Sequence, residues 1–254
     1  MLMMAPRIVE CRSPNHDERP EGVAVDMLVL HYTGMKSAEE ALARLCDPEA
    51  KVSAHYTIDR DGRVYRHVPE ERRAWHAGVS YWAGERNING CSIGIELVNP
   101  GHEFGYEPFP KPQIGALLDL AGDIVERHHI APARVVAHSD VAPARKEDPG
   151  ELFPWAHLAE FGVGLWPFVE NLLPSVAQFI KVSRSANEGC KTIIDEQSFV
   201  RGLSEFGYGT APEVDVPLEK VVAAFQRHWR PAKVDGVVDE ETAYRLGVLL
   251  NALS

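Results

Sequence analysis

Two histidines and an aspartate carry the first chemical possibility in this chain of 254 residues. His31 lies near the end of the apolar run VAVDMLVLHY (23–32), and His138 ends RVVAH (134–138). Asp148 follows in HSDVAPARKEDPG (138–150). A side chain at a strand end is held rigidly at the rim of a sheet, where substrate can reach it. Two imidazoles and a carboxylate form a three-ligand set for catalytic Zn²⁺, with a fourth position open to water. Zinc so held polarises a carbonyl and acidifies the water. Spacing alone leaves a second reading open. The chain has 11 histidines, and two at strand ends can equally be hydrogen-bonded residues at the edge of a core.

The elements that would position these groups are legible in order. Residues 23–32 read as a buried strand, with Val29 and His31 on one face and Leu28, Leu30 and Tyr32 on the other. Ser37 starts a helix, with Glu40 placed for a capping box. In VSAHYTIDRDGRVYRHV (52–68), Asp59 to Gly62 separates two β-rich runs and signals a hairpin. Residues 74–90 are expected to form a long loop, SIGIELVN (92–99) a strand, and residues 111–129 a helix with Ile114, Leu117, Leu118, Ala121 and Ile124/Val125 on its apolar stripe. A strand over 134–138 follows, then a helix near Trp166–Leu173. This order predicts an α/β fold with a mixed central sheet flanked by helices. The pattern weakens between Pro174 and Asn187, dividing a catalytic domain (1–175) from a small all-α C-terminal domain (186–254). In the latter, Val221, Phe225 and Trp229 recur at helical spacing, and Asp239 is placed to cap a last helix.

The segments LHYT (30–33), VSAHYTIDRDGRVYR (52–66), AWHAGVS (74–80), SIGIELVN (92–99) and AHSDVAPARKEDPG (137–150) together resemble the type 2 zinc amidases. That family includes bacterial N-acetylmuramoyl-L-alanine amidases of the recycling type, their outer-membrane relatives and the peptidoglycan recognition proteins. The resemblance covers roughly residues 20 to 170, in the family's order, with FPW (153–155) and GVGLWP (162–167) fitting its end. It implies zinc on His31, His138 and Asp148. An aspartate as third ligand matches the bacterial enzymes, whereas zinc-binding recognition proteins carry cysteine there. It implies Glu96 as general base. Glu96 is a lone acid in an apolar strand, and its neighbour on the same face, Gly94, is expected to leave room for substrate. It implies Lys146 as the cation that stabilises an oxyanion, against a plain ion pair with Glu147 or Glu151. Trp75, His76, His55 and Asn89 are expected substrate-side groups, each with packing as the alternative. Relatives tend to carry Asn-Asp where this chain has Asn89-Gly90, so a carboxylate contact is missing there.

The implied reaction is hydrolysis of the amide between the lactyl group of N-acetylmuramic acid, or its 1,6-anhydro form, and L-alanine. The substrate would be peptidoglycan or a muropeptide. The alternatives are a non-catalytic peptidoglycan sensor and a lysis amidase acting only on intact wall. Beyond residue 205, EFGYGT, VVAAFQRHWRP and VDGVVDEETAYRLGVLL resemble a peptidoglycan-binding helical domain. Phe206, Tyr208, Phe225, Leu246 and Leu249 would form its core, with Asp235-Gly236 as a turn. An appendage that packs on the amidase is the plain alternative.

Composition sets the outer bounds. Hydrophobic residues make up 45% and charged residues 25%, as in globular domains. A net charge of −11, from 37 acids and 26 bases, argues against a nucleic-acid partner. No run is long enough to span a membrane. The four cysteines, Cys11, Cys46, Cys91 and Cys190, are widely spaced and are expected to be free thiols. With no secretory leader legible, the expected location is cytoplasmic, with the periplasm as alternative.

Overall fold

The computed structural model describes residues 8–167, 179–185, 189–211 and 214–253. A sheet of six strands organises the first part: β1 (Ile8–Glu10), β3 (Met27–Tyr32), β4 (Tyr56–Ile58), β5 (Val64–Arg66), β7 (Ser92–Leu97) and β8 (Val135–Ala137). Their spatial order is β1-β5-β4-β7-β3-β8. Only the β4–β5 hairpin is antiparallel. Its turn closes as expected at Asp59–Gly62, where the Gly62 N–H donates to the Asp59 carbonyl at 2.9 Å. Strands β2 (His16–Glu18) and β6 (Arg72–Ala74) form a separate antiparallel pair.

Strand β3, between β7 and β8, is buried because helices cover both faces of the sheet. Leu28 and Leu30 face α4 (Lys111–His128) and pack with its Leu117, Ala121 and Ile124. Leu120 completes that stripe, while Leu118 and Val125 are only partly buried. Helix α1 (Ala38–Cys46) starts at Ser37, whose Oγ accepts the Glu40 N–H. The reciprocal bond from Glu40 reaches the Lys36 N–H, one residue earlier than a strict capping box. Between α1 and α4 lie the short helices α2 (Ile88–Cys91) and α3 (Gly101–Phe104). Helix α5 (His138–Val141) follows β8 directly, and α6 (Trp155–Glu160) ends this part. The helix expected near 166–173 falls mostly outside the described residues.

The opposite face of the sheet is covered by the C-terminal helices α7 (Glu196–Phe206), α8 (Leu218–Trp229) and α9 (Glu240–Leu253). Met27, Val29, Val136 and Val141 share one apolar cluster with Phe199, Leu203, Phe225, Trp229 and Leu246. All five expected core residues of the C-terminal part are buried in that cluster. The helices therefore complete the core on this face of the sheet. A two-stranded ribbon, β9 (Ile180–Ser185) and β10 (Gly189–Ile194), precedes them. The sequence pattern places no strand here, and β9 falls in the stretch where the apolar pattern weakens.

A buried polar cluster crosses the same contact. Asp140 of α5 accepts from the Ala137 N–H at 2.8 Å, from His228 Nδ1 at 2.6 Å and from the Tyr208 hydroxyl at 2.6 Å. The Tyr208 oxygen in turn accepts the Trp229 indole N–H at 3.0 Å. The His228 ring is stacked between Trp155 and Trp229, at centroid distances of 3.7 and 3.6 Å. Burial pushes His228 below the usual histidine range, so the neutral ring donates to the Asp140 carboxylate. His228→Ala leaves a buried carboxylate short of one donor and opens a gap between two indoles. We expect a loss of about 3 kcal/mol in urea unfolding. A change under about 0.5 kcal/mol, the size typical of surface sites, would mean that the cluster does not couple the two parts.

Candidate metal centre and cleft

Strands β3, β7 and β8 run parallel and present their carboxyl ends to one side, the usual ligand side of such sheets. His31 sits in β3 on the face of Val29, and the register pairs it directly with Glu96 of β7. Leu30 pairs with Ala137, so the next residue, His138, emerges beside His31. Asp148 returns through the loop after α5, with the Ser139 N–H donating to its backbone carbonyl at 3.0 Å. Gly150 holds this return in place. Its φ is +85°, and a Cβ there would meet the Tyr106 hydroxyl, which bonds the Pro149 carbonyl at 2.7 Å.

Three donor atoms converge. His31 Nδ1 and His138 Nδ1 are 2.9 Å apart, and Asp148 Oδ2 lies 3.1 and 3.0 Å from them. Ligand bonds of about 2.0–2.1 Å at tetrahedral angles place donors about 3.3 Å apart, so the triangle fits a small metal ion. The protons on the rings decide the matter. Ser92 donates its hydroxyl to the Ile88 carbonyl at 2.6 Å, so its Oγ accepts His76 Nε2–H at 3.2 Å. His76 Nδ1 then accepts His31 Nε2–H at 3.1 Å, which leaves His31 Nδ1 a bare lone pair. His138 Nε2–H donates to the Ala77 carbonyl at 3.1 Å, which bares His138 Nδ1 as well. Three lone pairs face one point with no proton among them. That arrangement calls for a cation. Burial holds His31 down at about 4, so it stays neutral.

The cleft beside this centre has a volume of ≈ 580 Å³. Trp75, His76, Glu96 and Lys146 all line it, together with Tyr32 and His102. Glu96 Oε2 is sealed from solvent and has no hydrogen-bond partner. Burial pushes the Glu96 carboxyl well above the usual range, Asp148 adds to this, and Lys146 opposes it. Among the described residues the Lys146 ammonium makes no hydrogen bond or ion pair, while its backbone N–H donates to the Ala142 carbonyl at 3.1 Å. Its two suggested acidic partners are taken: Glu147 pairs with Arg227 at 2.7 Å and Glu151 with His102 at 3.1 Å. Arg145 instead braces the loop, donating to the carbonyls of Ala77 and Val79.

Asn89 and His55 are both tied to the backbone, and Asn89 also lines a smaller pocket beside Trp75, His76 and Lys146. Asn89 Oδ1 accepts the backbone N–H of His76 and Ala77, at 3.1 and 2.8 Å, so it shapes the loop that carries His76. Gly90 lies under Asn87 and Pro20 and lines no part of the cleft, so the absent carboxylate leaves no gap there. His55 lies behind His76, where its Nδ1 accepts the Gly94 N–H at 3.0 Å and its Nε2 meets the Arg72 carbonyl at 3.1 Å. Gly94 does not make room for substrate as expected. A Cβ there would stand 2.5 Å from the His76 ring, so the missing side chain admits the imidazole that orients His31. Sequence analysis missed Ser92 and this relay. A glycine inside an apolar strand was the available signal, since it marks a close approach by another group.

The acid response follows from these buried rings. Burial, with Arg19 next, pushes His55 down to about 3, and burial lowers His67 too. In an unfolded chain both titrate near 6.5. Between that value and the folded one the unfolded chain binds more protons, so this part of the stability is complete above about pH 6.5 and is lost as pH falls toward 3. Urea midpoints should therefore drop steadily between pH 7 and pH 4. A flat profile over that range would contradict the buried, neutral state of these rings.

The sequence family described as N-acetylmuramoyl-L-alanine amidase matches residues 21–151. This chain belongs to that family. The N-acetylmuramoyl-L-alanine amidase AmiD of Escherichia coli K12 is 39% identical over 253 residues, covering 92% of this chain and 87% of AmiD. The structure of E. coli AmiD with the substrate anhydro-N-acetylmuramic acid-L-Ala-D-γ-Glu-L-Lys superposes with a TM-score of 0.78 at 36% identity, covering 92% and 93% of the two chains. AmpDh3 of Pseudomonas aeruginosa, in complex with anhydromuramic pentapeptide, reaches 0.79 at 32% identity, over 100% of this chain and 99% of that one. Both structural matches extend across the C-terminal helices, so the amidase sheet and its helical cover recur together. Among the described residues no helix is long and apolar enough to cross a membrane.

Proposed function

We propose that this amidase hydrolyses the amide between the lactyl carbonyl of N-acetylmuramic acid, or its 1,6-anhydro form, and L-alanine. The proposed cofactor is Zn²⁺ on His31, His138 and Asp148. The observation that carries the reading is the set of three unprotonated donors beside a partnerless carboxylate oxygen in one cleft. Two imidazoles and one carboxylate favour zinc over the oxygen-seeking Mg²⁺ and Ca²⁺. When bound, the ion supplies a Lewis acid for the carbonyl and makes a water acidic enough to act near neutral pH.

The chain's own groups do the rest. His76 and Ser92 hold His31 in the metal-binding tautomer, and the Ala77 carbonyl does so for His138. Glu96 takes the proton of the attacking water as its oxygen bonds to the lactyl carbon. Lys146 meets the negative charge that develops on the carbonyl oxygen. Glu96 then passes its proton to the alanine nitrogen as the C–N bond breaks, leaving a lactyl carboxylate and a free amine. Trp75 offers the cleft an aromatic face suited to a sugar ring.

The test pairs two substrates. The zinc-loaded protein is incubated with a soluble anhydro-muropeptide and, separately, with purified sacculi, and released stem peptide is sought by mass spectrometry. Release from the fragment alone assigns the enzyme to turnover of soluble fragments. Release from sacculi extends the substrate to the polymer. No release from either would overturn the amidase reading and leave a peptidoglycan sensor.

A further inference from the structure

A second side-chain cluster lies outside the catalytic cleft. Cys11 follows the edge strand β1, and Cys46 is the last residue of α1. Their sulfurs stand 3.4 Å apart, although 35 residues separate them in sequence. The Cys46 thiol also donates to the Cys11 carbonyl at 3.3 Å. Both residues are half-buried, so a small reagent can reach them, whereas Cys91 is buried.

His67 completes the cluster, with its Nδ1 3.8 Å from Cys46 Sγ. Two cysteines and a histidine can suggest a metal site. The hydrogen bonds speak against it. His67 Nδ1 lies 2.7 Å from the Cys11 carbonyl, which can only accept, so Nδ1 carries the proton and has no lone pair to offer. Nε2 is then the acceptor from the Thr57 hydroxyl at 2.8 Å. The ring is fully used. It pins the Cys11 backbone against the sheet, and this holds one thiol still against the other.

We propose that Cys11 and Cys46 are a dithiol–disulfide pair, closed by exchange with a low-molecular-weight or protein disulfide. A bond of about 2.05 Å requires the sulfurs to approach by about 1.4 Å from their separation of 3.4 Å. The Cys46 thiol is held on the Cys11 carbonyl, and burial, then the adjacent Cys11 thiol, push it up, so exchange begins at Cys11. The Cys11 thiolate attacks one sulfur of the oxidant and releases the first thiolate. Cys46 then attacks the Cys11 sulfur, gives its proton to solvent and displaces the second. The chain loses two protons and two electrons, and the oxidant leaves as two thiols.

The link would tie the edge of the sheet to a helix that walls the cleft through Ala41, Arg44 and Leu45. Non-covalent ties already run alongside it. Asn15 donates to the carbonyls of Asp47 and Val52, at 2.8 and 2.9 Å. The covalent link would therefore lock an arrangement that the thiol form already holds. In an oxidising compartment it would stabilise the amidase, and in a reducing one the pair would stay open.

The full-length, zinc-loaded chain is treated with oxidised glutathione, alkylated under denaturing conditions, digested and mapped by mass spectrometry. The expected product is a Cys11–Cys46 linked peptide with Cys91 alkylated. The thermal midpoint should rise by roughly 5–10 °C and fall back with dithiothreitol. Cys46→Ser should instead keep glutathione on Cys11 and show no rise. Alkylation of both residues in the wild-type chain, or glutathione retained on Cys11 there, would overturn the proposal. So would a second equivalent of zinc that shields both thiols from alkylation, which would make the cluster a metal site.

Discussion

Glu96→Gln is expected to lower kcat on an anhydro-muropeptide by about 10²–10⁴-fold, the span that a positioned general base contributes. KM should change little, because the carboxylate acts on the water and the leaving nitrogen and does not grip the substrate. The same substitution should stabilise the metal-free protein at neutral pH. Burial, then Asp148, raise the Glu96 carboxyl well above its value in an unfolded chain. A raised folded pKa contributes stability below the unfolded value near 4.5, and that contribution is lost as pH rises. Glutamine carries no such titration, so the urea midpoint of the metal-free variant should exceed that of the parent at pH 7 and converge with it near pH 4. The two readouts separate catalysis from folding. Full activity in a folded, zinc-loaded Glu96→Gln protein would remove the base assignment.

Asp148→Ala should abolish both zinc retention and hydrolysis. Of the three donors, Asp148 supplies the negative charge, and its Oδ2 stands within 3.1 Å of both imidazoles. Without it two neutral rings remain, which is too few ligands for a stable catalytic zinc site. The parent gains stability from the ion by mass action, about 4.1 kcal/mol when free zinc is 1,000 times its Kd. Titration of the metal-stripped parent with zinc should therefore raise its thermal midpoint, and the variant should show no such rise. Competition against a chromophoric chelator gives the affinity directly. Wild-type zinc affinity in the variant would falsify the ligand set. Activity of the parent that survived complete removal of the metal would separate the hydrolysis from this centre.

The two predictions rest on different kinds of information. Residue types and strand ends already singled out His31, His138 and Asp148, because a ligand set is a matter of chemistry and a strand end can be read from apolar periodicity. The Asp59–Gly62 turn and the α4 stripe were legible for the same reason, since local backbone preference and burial pattern act over a few residues. The resemblance to zinc amidases suggested the proposed roles of Glu96 and Lys146, and the register of β3 against β7 sets Glu96 opposite His31.

What the tertiary structure decided are relations between distant segments. The direction of the ring protons on His31 depends on His76 and Ser92, which lie in other elements, and no pattern around residue 31 encodes it. Gly94 looked like space for substrate until a third segment laid an imidazole against it. The C-terminal helices show a complete apolar face in sequence, but a face does not say what covers it. Here Met27 and Val29 of β3 do, and Asp140 with His228 seals the contact. The sequence by itself singled out the candidate ligands and the elements that carry them. Only the folded chain decided how strands register, where protons point and which apolar surfaces meet, because each of those depends on contacts between groups that sequence proximity does not join.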